Sequence, residues 1–416
     1  MIEVENQYYN INRILLLICG LWPYENTKFR YVRVVFLCGI LISFMIYQMI
    51  ILFIYKYNFK LVLKISADML PFAVCMVKFI TFLFNSKKVK QLLDQIYEDW
   101  NALKNSEELE IAQKYGKFTK RLTKILFLCT LFGLLIVMLV RYIPIFINSS
   151  TTVDKFFLKQ DDISDVYLDK KKYIYFFITS FVGVFVITST ITMIIAYMRH
   201  ICMMFKITCY RIENSLNENI LHMSISQKEK MMYQRLISAI NIHRRALQFA
   251  EFTLYTFKRC YLMMIGLGVL SLAVNLLNML QAILILDNIN DLILTSFFII
   301  LHFIFFFVGN YGGQIITDHS VDILTTLYNI QWYMAPLRIQ KLILFLILKN
   351  TKSYSFLIGG IYVASLEAYK YVTILLHGNL LYATIKMQYN RNDYGKLYEK
   401  ILQNTKLIFR SATIVN

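Results

Sequence analysis

The sequence predicts an all-α polytopic membrane protein with seven transmembrane helices, its N-terminus cytoplasmic and its C-terminus extracellular. Three observations lead there. Hydrophobic residues make up 57% of the 416 and charged residues only 17%, a balance that cannot clothe a soluble surface and makes lipid the matching solvent. The apolar residues gather in seven long runs rather than alternating, which selects helices over a barrel. Lys and Arg are unevenly shared between alternate loops, 26 against 14, and the richer side marks the cytoplasm.

A spanning helix needs about 20 apolar residues. The runs are 32–54, 70–84, 125–147, 173–198, 261–286, 292–308 and 356–385. The second and sixth are short, so their ends must extend into flanking residues. The tiny connection 287–291 closes the fifth and sixth helices into a hairpin on the outside. The cytoplasmic segments are long. In 85–124 charge alternates with the apolar spacing of Leu92, Leu93, Ile96, Tyr97 and Trp100, the pattern of an amphipathic helix. Residues 228–257 have the same character. Residues 328–348 are strongly apolar but interrupted by Pro336, Arg338 and Lys341. They read as a helix packed in a cytoplasmic protein layer rather than an eighth span. The chain thus divides into a cytoplasmic N-terminal segment 1–31, helices one to six with long cytoplasmic helical loops over 32–308, a cytoplasmic anchor segment 309–352, a seventh helix within 353–386, and an extension 387–416.

The net charge of +18 would suggest nucleic acid in a soluble chain. Here it lies in loops between spans, so the expected partner is anionic lipid headgroups and no nucleic acid. The seven cysteines form no C-x-x-C pair, so they read as free thiols and no metal or other cofactor is expected. The first thirty residues lack a signal-peptide pattern. The one N-x-S/T sequon, at Asn148, falls in a loop the charge count places outside, which makes Asn148 the expected glycosylation site. No phosphate-binding, dinucleotide, zinc-protease or nucleophile-elbow motif occurs, so no catalytic residues are assigned and the chain does not read as an enzyme. His319, between Asp318 and Ser320, reads as part of a solvated helix start. Lys78 and Arg141 lie within about two turns of a span end and read as snorkelling side chains. A G-protein-coupled receptor would be inverted and would carry Asp-Arg-Tyr and Asn-Pro-x-x-Tyr, both absent. A secondary transporter would show internal repeats, and none is visible.

Several elements resemble insect odorant receptors. Gly20-Leu21-Trp22-Pro23 before the first span is similar to that family's opening. Tyr328, Trp332, Tyr333 and Pro336 resemble its Tyr-x-x-x-Trp-Tyr-x-x-Pro stretch, followed by Lys341-Leu342-Ile343-Leu344-Phe345 and Ser365-Leu366-Glu367. His243-Arg244-Arg245 with Gln248-Phe249 is similar to the segment before its fifth span. The chain departs from the family in its last span, where His377–Thr384 stands in place of a Ser-Tyr-Phe-Thr-like ending and residues 387–416 follow.

The resemblance implies an odorant receptor subunit in the plasma membrane of olfactory sensory neurons. It would bind a small neutral volatile odorant and form an odorant-gated cation channel with a co-receptor subunit, as a hetero-oligomeric tetramer. It also implies assembly through the cytoplasmic layer, with Tyr328, Trp332 and Pro336 as anchor residues, and a pore lined by the last helix. An odorant pocket would lie in the outer halves of the second, third, fourth and sixth spans. There the sequence offers Phe72, Met76, Tyr142, Phe177, Ser180 and Phe297, aromatic faces with few polar groups. In the last span, Thr373, His377 and Thr384 fall within roughly 40° on a helical wheel, a polar stripe suited to a pore. Carrying over the family's last-turn gate without a gap points instead at Tyr382 and Lys386. The alternatives are a gustatory receptor of the same superfamily, whose Thr-Tyr…Gln-Phe signature is unmatched, and a non-channel membrane transporter.

Overall fold

The computed structural model describes residues 4–54, 59–150, 160–216, 225–285, 289–374 and 378. Side chains are described over the same segments except at 54, 59–60, 141–150, 160–173, 225–226, 284–285 and 289–291. Apart from one two-stranded ribbon, the regular structure over these residues is helical. Six of the helices are long and apolar enough to cross a membrane. They are α2 (Lys28–Ile54), α3 (Phe59–Phe84), α5 (Ser106–Ser150), α6 (Gln160–Glu213), α7 (Ile225–Ile285) and α8 (Ile289–Asn329). Between and around them lie α1 (Asn10–Ile18), α4 (Ser86–Ala102) and α9 (Leu337–Asn350).

Four of these helices are far longer than a bilayer requires. At 1.5 Å per residue the 61 residues of α7 extend about 90 Å, roughly three hydrocarbon thicknesses. No Pro or Gly occurs from residue 225 to residue 265, so nothing breaks the backbone where the polar, amphipathic part meets the apolar part. The sequence suggests a separate cytoplasmic helix over 228–257 and a span from 261; the two are one rod. The same holds for α5 and for α6, which runs past its span to Glu213. The apolar bundle and the polar helical layer are therefore two ends of the same helices.

The amphipathic reading of 85–124 is realised as two helices rather than one. In α4, Val89, Leu92, Leu93, Ile96, Tyr97 and Trp100 are all buried. The chain then breaks at 103–105, where Asn105 Oδ1 accepts the Glu107 N–H at 3.1 Å. Glu107 and Glu108 stand in the first turn of α5, and both features favour a helix start.

The N-terminal segment is folded into this layer. A π-helical turn at Glu5–Tyr9 leads into α1, and Asn12, Leu16 and Cys19 have no exposed surface. The Gly-Leu-Trp-Pro element is the stop signal of α1. Gly20 has φ +68°, its N–H bonds to Leu17 O at 3.0 Å, and Leu21 N–H bonds to Leu16 O at 2.8 Å. This pair of bonds around a left-handed glycine is a Schellman cap. A Cβ on Gly20 would stand 2.9 Å from Val34 Cγ2 on α2, so the site excludes larger residues twice over. Arg30 then donates to Gly20 O at 3.0 Å and fixes the turn against the start of α2.

Polar cross-links hold the helical layer. The buried Asp99 of α4 bridges His200 Nε2 of α6 at 3.0 Å and Arg245 of α7 at 2.5 Å. Arg211 of α6 donates to both oxygens of Glu108 on α5, at 2.7 and 2.8 Å, and to Ser238 on α7. Burial and the neighbouring Glu5 carboxylate push the Tyr97 hydroxyl above the ordinary phenol range, so it remains a neutral donor to Glu5 Oε2 at 3.2 Å. His319 lies well inside α8, not at a helix start. Half-buried, it faces Tyr115 of α5, whose hydroxyl is 2.7 Å from Nε2, while Nδ1 donates to Ile315 O. Its place in a packed helix pair is the reason it is not solvated.

Tyr328 stands in the last turn of α8, and a short turn then carries Trp332 and Pro336 into α9, which packs Ile339, Ile343, Leu346 and Ile347 inward. With 14 residues α9 is about 21 Å long, too short to cross a bilayer. The region expected to open the seventh span begins differently. Strands β1 (Leu357–Ile358) and β2 (Tyr362–Val363) form an antiparallel ribbon turned by Gly359 and Gly360. Only then does a helix, α10 (366–374), begin. Ser365 caps it, its Oγ accepting the Ala368 N–H at 3.1 Å. The buried Asn310 of α8 ties the ribbon down by accepting from Tyr362 Oη at 2.7 Å and from the Ser365 N–H at 3.3 Å.

Asp99→Ala removes the acceptor that both His200 and Arg245 share. Thermal unfolding of the purified chain in detergent is expected to show a loss of about 1.5–3 kcal/mol, as for a charged hydrogen-bonding group. A change under about 0.5 kcal/mol would mean the triad contributes nothing to the layer.

Candidate ligand site and pore helix

Helices α2 and α6 bring an aromatic cluster against α3 in the half of the bundle away from the helical layer. Phe72 of α3 is 6% exposed. Its ring centroid is 4.6 Å from Phe44 of α2 and 6.1 Å from Phe176 of α6. Tyr175 lies beside Phe44 and Tyr47 and is hydrogen-bonded to Ser43. These are tilted and edge-on contacts, the geometry aromatic rings prefer. The close approach of α3 to α6 depends on Gly183. A Cβ there would meet Cys75 Sγ at 3.3 Å and Phe72 at 3.5 Å.

The six sequence-predicted ligand residues do not all share this space. Phe72 is central to it and Met76 packs against the same core. Ser180 is half-buried one turn along α6 from Phe176. Phe177 is 43% exposed and joins a ladder with Phe181 and Phe185 on the outer face. One residue turns the helix by about 100°, so Phe176 and Phe177 cannot both point inward. Phe297 lies on α8, packed on the core beside Phe298 and close to Gly133 of α5. The backbone of Tyr142 is in α5, while its side chain lies outside the described residues, as do those of Arg141 and Asn148; α5 runs through Asn148 to Ser150.

Sequence reasoning missed Phe44, Tyr47, Tyr175 and Phe176. The signal was present in the wheel of α6, where 176, 179, 182 and 186 recur at helical spacing and are buried. The polar run Thr188–Thr192 is buried too, but its hydroxyls are spent locally. Ser189, Thr190 and Thr192 donate to carbonyls three or four residues back on their own helix. Thr188 reaches Thr130 of α5 at 3.0 Å.

Lys78 does not snorkel: it is fully buried, with Nζ 5.8 Å from the centroid of Phe305 on α8. In the last helix, Thr373 is half-buried and donates to Tyr369 O at 2.9 Å. His377, Tyr382, Thr384 and Lys386 lie outside the described residues. The anchor turn is the most exposed apolar part of the layer. Tyr328, Tyr333, Met334, Leu337, Phe345 and Leu348 are each more than half exposed, whereas Trp332 and Pro336 are half-buried. Among the described residues no three metal-ligating groups converge.

Six membrane-length helices around a buried aromatic cluster, standing on a helical layer with an uncovered apolar face, define a multi-pass membrane receptor of the insect olfactory type. The 7tm odorant receptor family matches residues 58–375, and the chain belongs to that family. The fold is similar to two solved structures of the insect olfactory receptor OR5 from Machilis hrabei, one of them in complex with eugenol. In each case the TM-score is 0.72 and the identity 14%, over 94% of this chain and 99% of that one. Nothing among curated proteins matches the chain.

Two substitutions separate the inward from the outward aromatics. Phe72→Ala is expected to destabilise the chain by about 3–5 kcal/mol, as for a buried Phe truncation, and to alter the response profile across an odorant panel. Phe177→Ala should change stability by under about 1 kcal/mol. Equal effects would mean that the cluster around Phe72 is not a distinct site.

Proposed function

We propose that this chain is the ligand-binding subunit of an odorant-gated cation channel that assembles with a co-receptor subunit in the plasma membrane of olfactory sensory neurons. The observation that carries the reading is the conjunction of an odorant receptor fold with a buried aromatic cluster in the outer half of the bundle. The relative of known structure is described in complex with eugenol, a small aromatic molecule. A cluster built on Phe44, Phe72 and Phe176 suits a ligand of the same kind: small, mostly apolar, and neutral as it arrives.

Assembly is supported by the anchor turn. An apolar surface made by Tyr328, Tyr333, Met334, Leu337, Phe345 and Leu348 is exposed at and after the end of α8. Such a patch fits a second subunit. We assign the seventh span to α10 and its continuation, with Thr373, His377 and Thr384 on the pore face and Tyr382 on the face favoured by the ungapped family register. The N-terminus is assigned to the cytoplasm and Asn148 to the outside, from the Lys and Arg distribution.

Ligand-evoked current in cells expressing this chain with a co-receptor, and none from the chain alone, is the expected result. Current from the chain alone would remove the co-receptor from the scheme. Thr373→Val, His377→Leu and Thr384→Val, each made singly, should change conductance or ion selectivity. If only Tyr382 and Lys386 substitutions do so, the polar stripe is not the pore face. Glycosylation mapping tests the orientation: Asn148 should be modified, and an acceptor introduced near Asn101 should not.

A further inference from the structure

The inward stripe of α3 reads Phe72, Cys75, Lys78, Phe79 and Phe82, every member buried. Four of these are ordinary bundle residues and one is not. Lys78 is 1% exposed. Among the described residues it makes no ion pair and no hydrogen bond. Its Nζ looks onto the face of Phe305 at 5.8 Å, and the titratable groups that act on it are the thiols of Cys75 and Cys260. A ring face at that distance offsets only a small part of the desolvation of an ammonium. A snorkelling lysine would reach the headgroups, and this one does not. An ionisable group held inside a membrane bundle without a counterion points to a partner that is absent when the site is empty.

Position identifies the partner's shape. Lys78 is six residues beyond Phe72 on the same helix, so it lies about 9 Å further along the axis and about 120° round it. Cys75 sits between them, its Sγ 3.8 Å from Gly183 O on α6. An elongated small molecule with its apolar end among Phe44, Phe72 and Phe176 would place its other end near Nζ.

We propose that Lys78 is the polar anchor of the ligand site and that this chain takes small carboxylic acids. This rests on the odorant-receptor reading for the placement of the apolar end. The carboxylate is the group that completes the site, because it neutralises the charge and accepts the donors of Nζ. The proton balance closes without another reactant. An acid entering neutral leaves its proton on an uncharged amine; a carboxylate entering charged meets an ammonium. Both routes end in the same ion pair. A volatile acid is neutral in the vapour and in lipid, which agrees with an apolar approach to the site.

The test uses ligand-induced thermal stabilisation of the purified full chain, which reports binding whether or not a channel forms. Hexanoic acid, hexanol and methyl hexanoate are the probes. In the native chain hexanoic acid should bind about 10- to 100-fold more tightly than the other two, the range expected for a charged hydrogen bond. Lys78→Met should remove that preference, while Lys78→Arg should retain it. Lys78→Gln serves the same purpose if the Met variant does not fold. The proposal is overturned if the native chain binds the acid no better than the alcohol, or if the preference survives loss of the amine. Co-receptor currents separate the two readings. Acid-specific stabilisation without any evoked current sinks the channel reading alone, and currents to alcohols and esters without an acid preference sink this one alone.

Discussion

Inside a bilayer a backbone N–H or C=O has no water to turn to, so each segment must satisfy its own polar groups along its length. The helices of this chain meet that demand and then carry it beyond the membrane. Because α5, α6, α7 and α8 continue without a break into the helical layer, the bundle and the layer share the same backbones. The layer is held by groups that fix those rods in register. Asp99 joins α4 to α6 and α7, and Arg211 joins α6 to α5 and α7.

Much of the fold was legible because lipid writes a strong signal into composition. The first six of the seven apolar runs fall in six helices, and the fourteen-residue α9 is too short to span, in keeping with the interrupting Pro336, Arg338 and Lys341. The boundaries were not legible. Hydropathy changes along a helix while its backbone does not, so the joins at residue 260 and residue 124 leave no break in the helices. At the seventh run the reverse occurs. Residues 356–365 are apolar enough to read as membrane, yet Gly359 and Gly360 turn them into a ribbon. The helix waits for Ser365, and the Ser-Leu-Glu element proves to be a cap.

The ligand site was half legible. Phe72 and Met76 belong to the core, but Phe177 was chosen over its neighbour Phe176, because aromatic content alone cannot decide which side of a helix faces inward. Burial settles it, with 176, 179, 182 and 186 on the packed face. His319 and Lys78 failed for a shared reason. Each was judged by its neighbours in sequence, whereas its surroundings come from other helices: Tyr115 of α5 for His319, Phe305 of α8 for Lys78.

These two charged or chargeable residues also show how differently the two halves of the molecule treat polarity. In the helical layer several buried polar groups are paired across elements, as with Asp99, Arg211 and Asn310. In the bundle the hydroxyls of 188–192 turn back mainly onto their own backbone, which leaves the inter-helix space lined by aromatic rings and methyl groups. Such a space does not discriminate among apolar molecules of similar size, since a methylene more or less changes binding only modestly. Discrimination has to come from a polar group that would be left unsatisfied by the wrong ligand. In the described part of the bundle Lys78 is an ionisable group buried without a protein counterion, and on the proposed reading it is the residue on which selectivity turns.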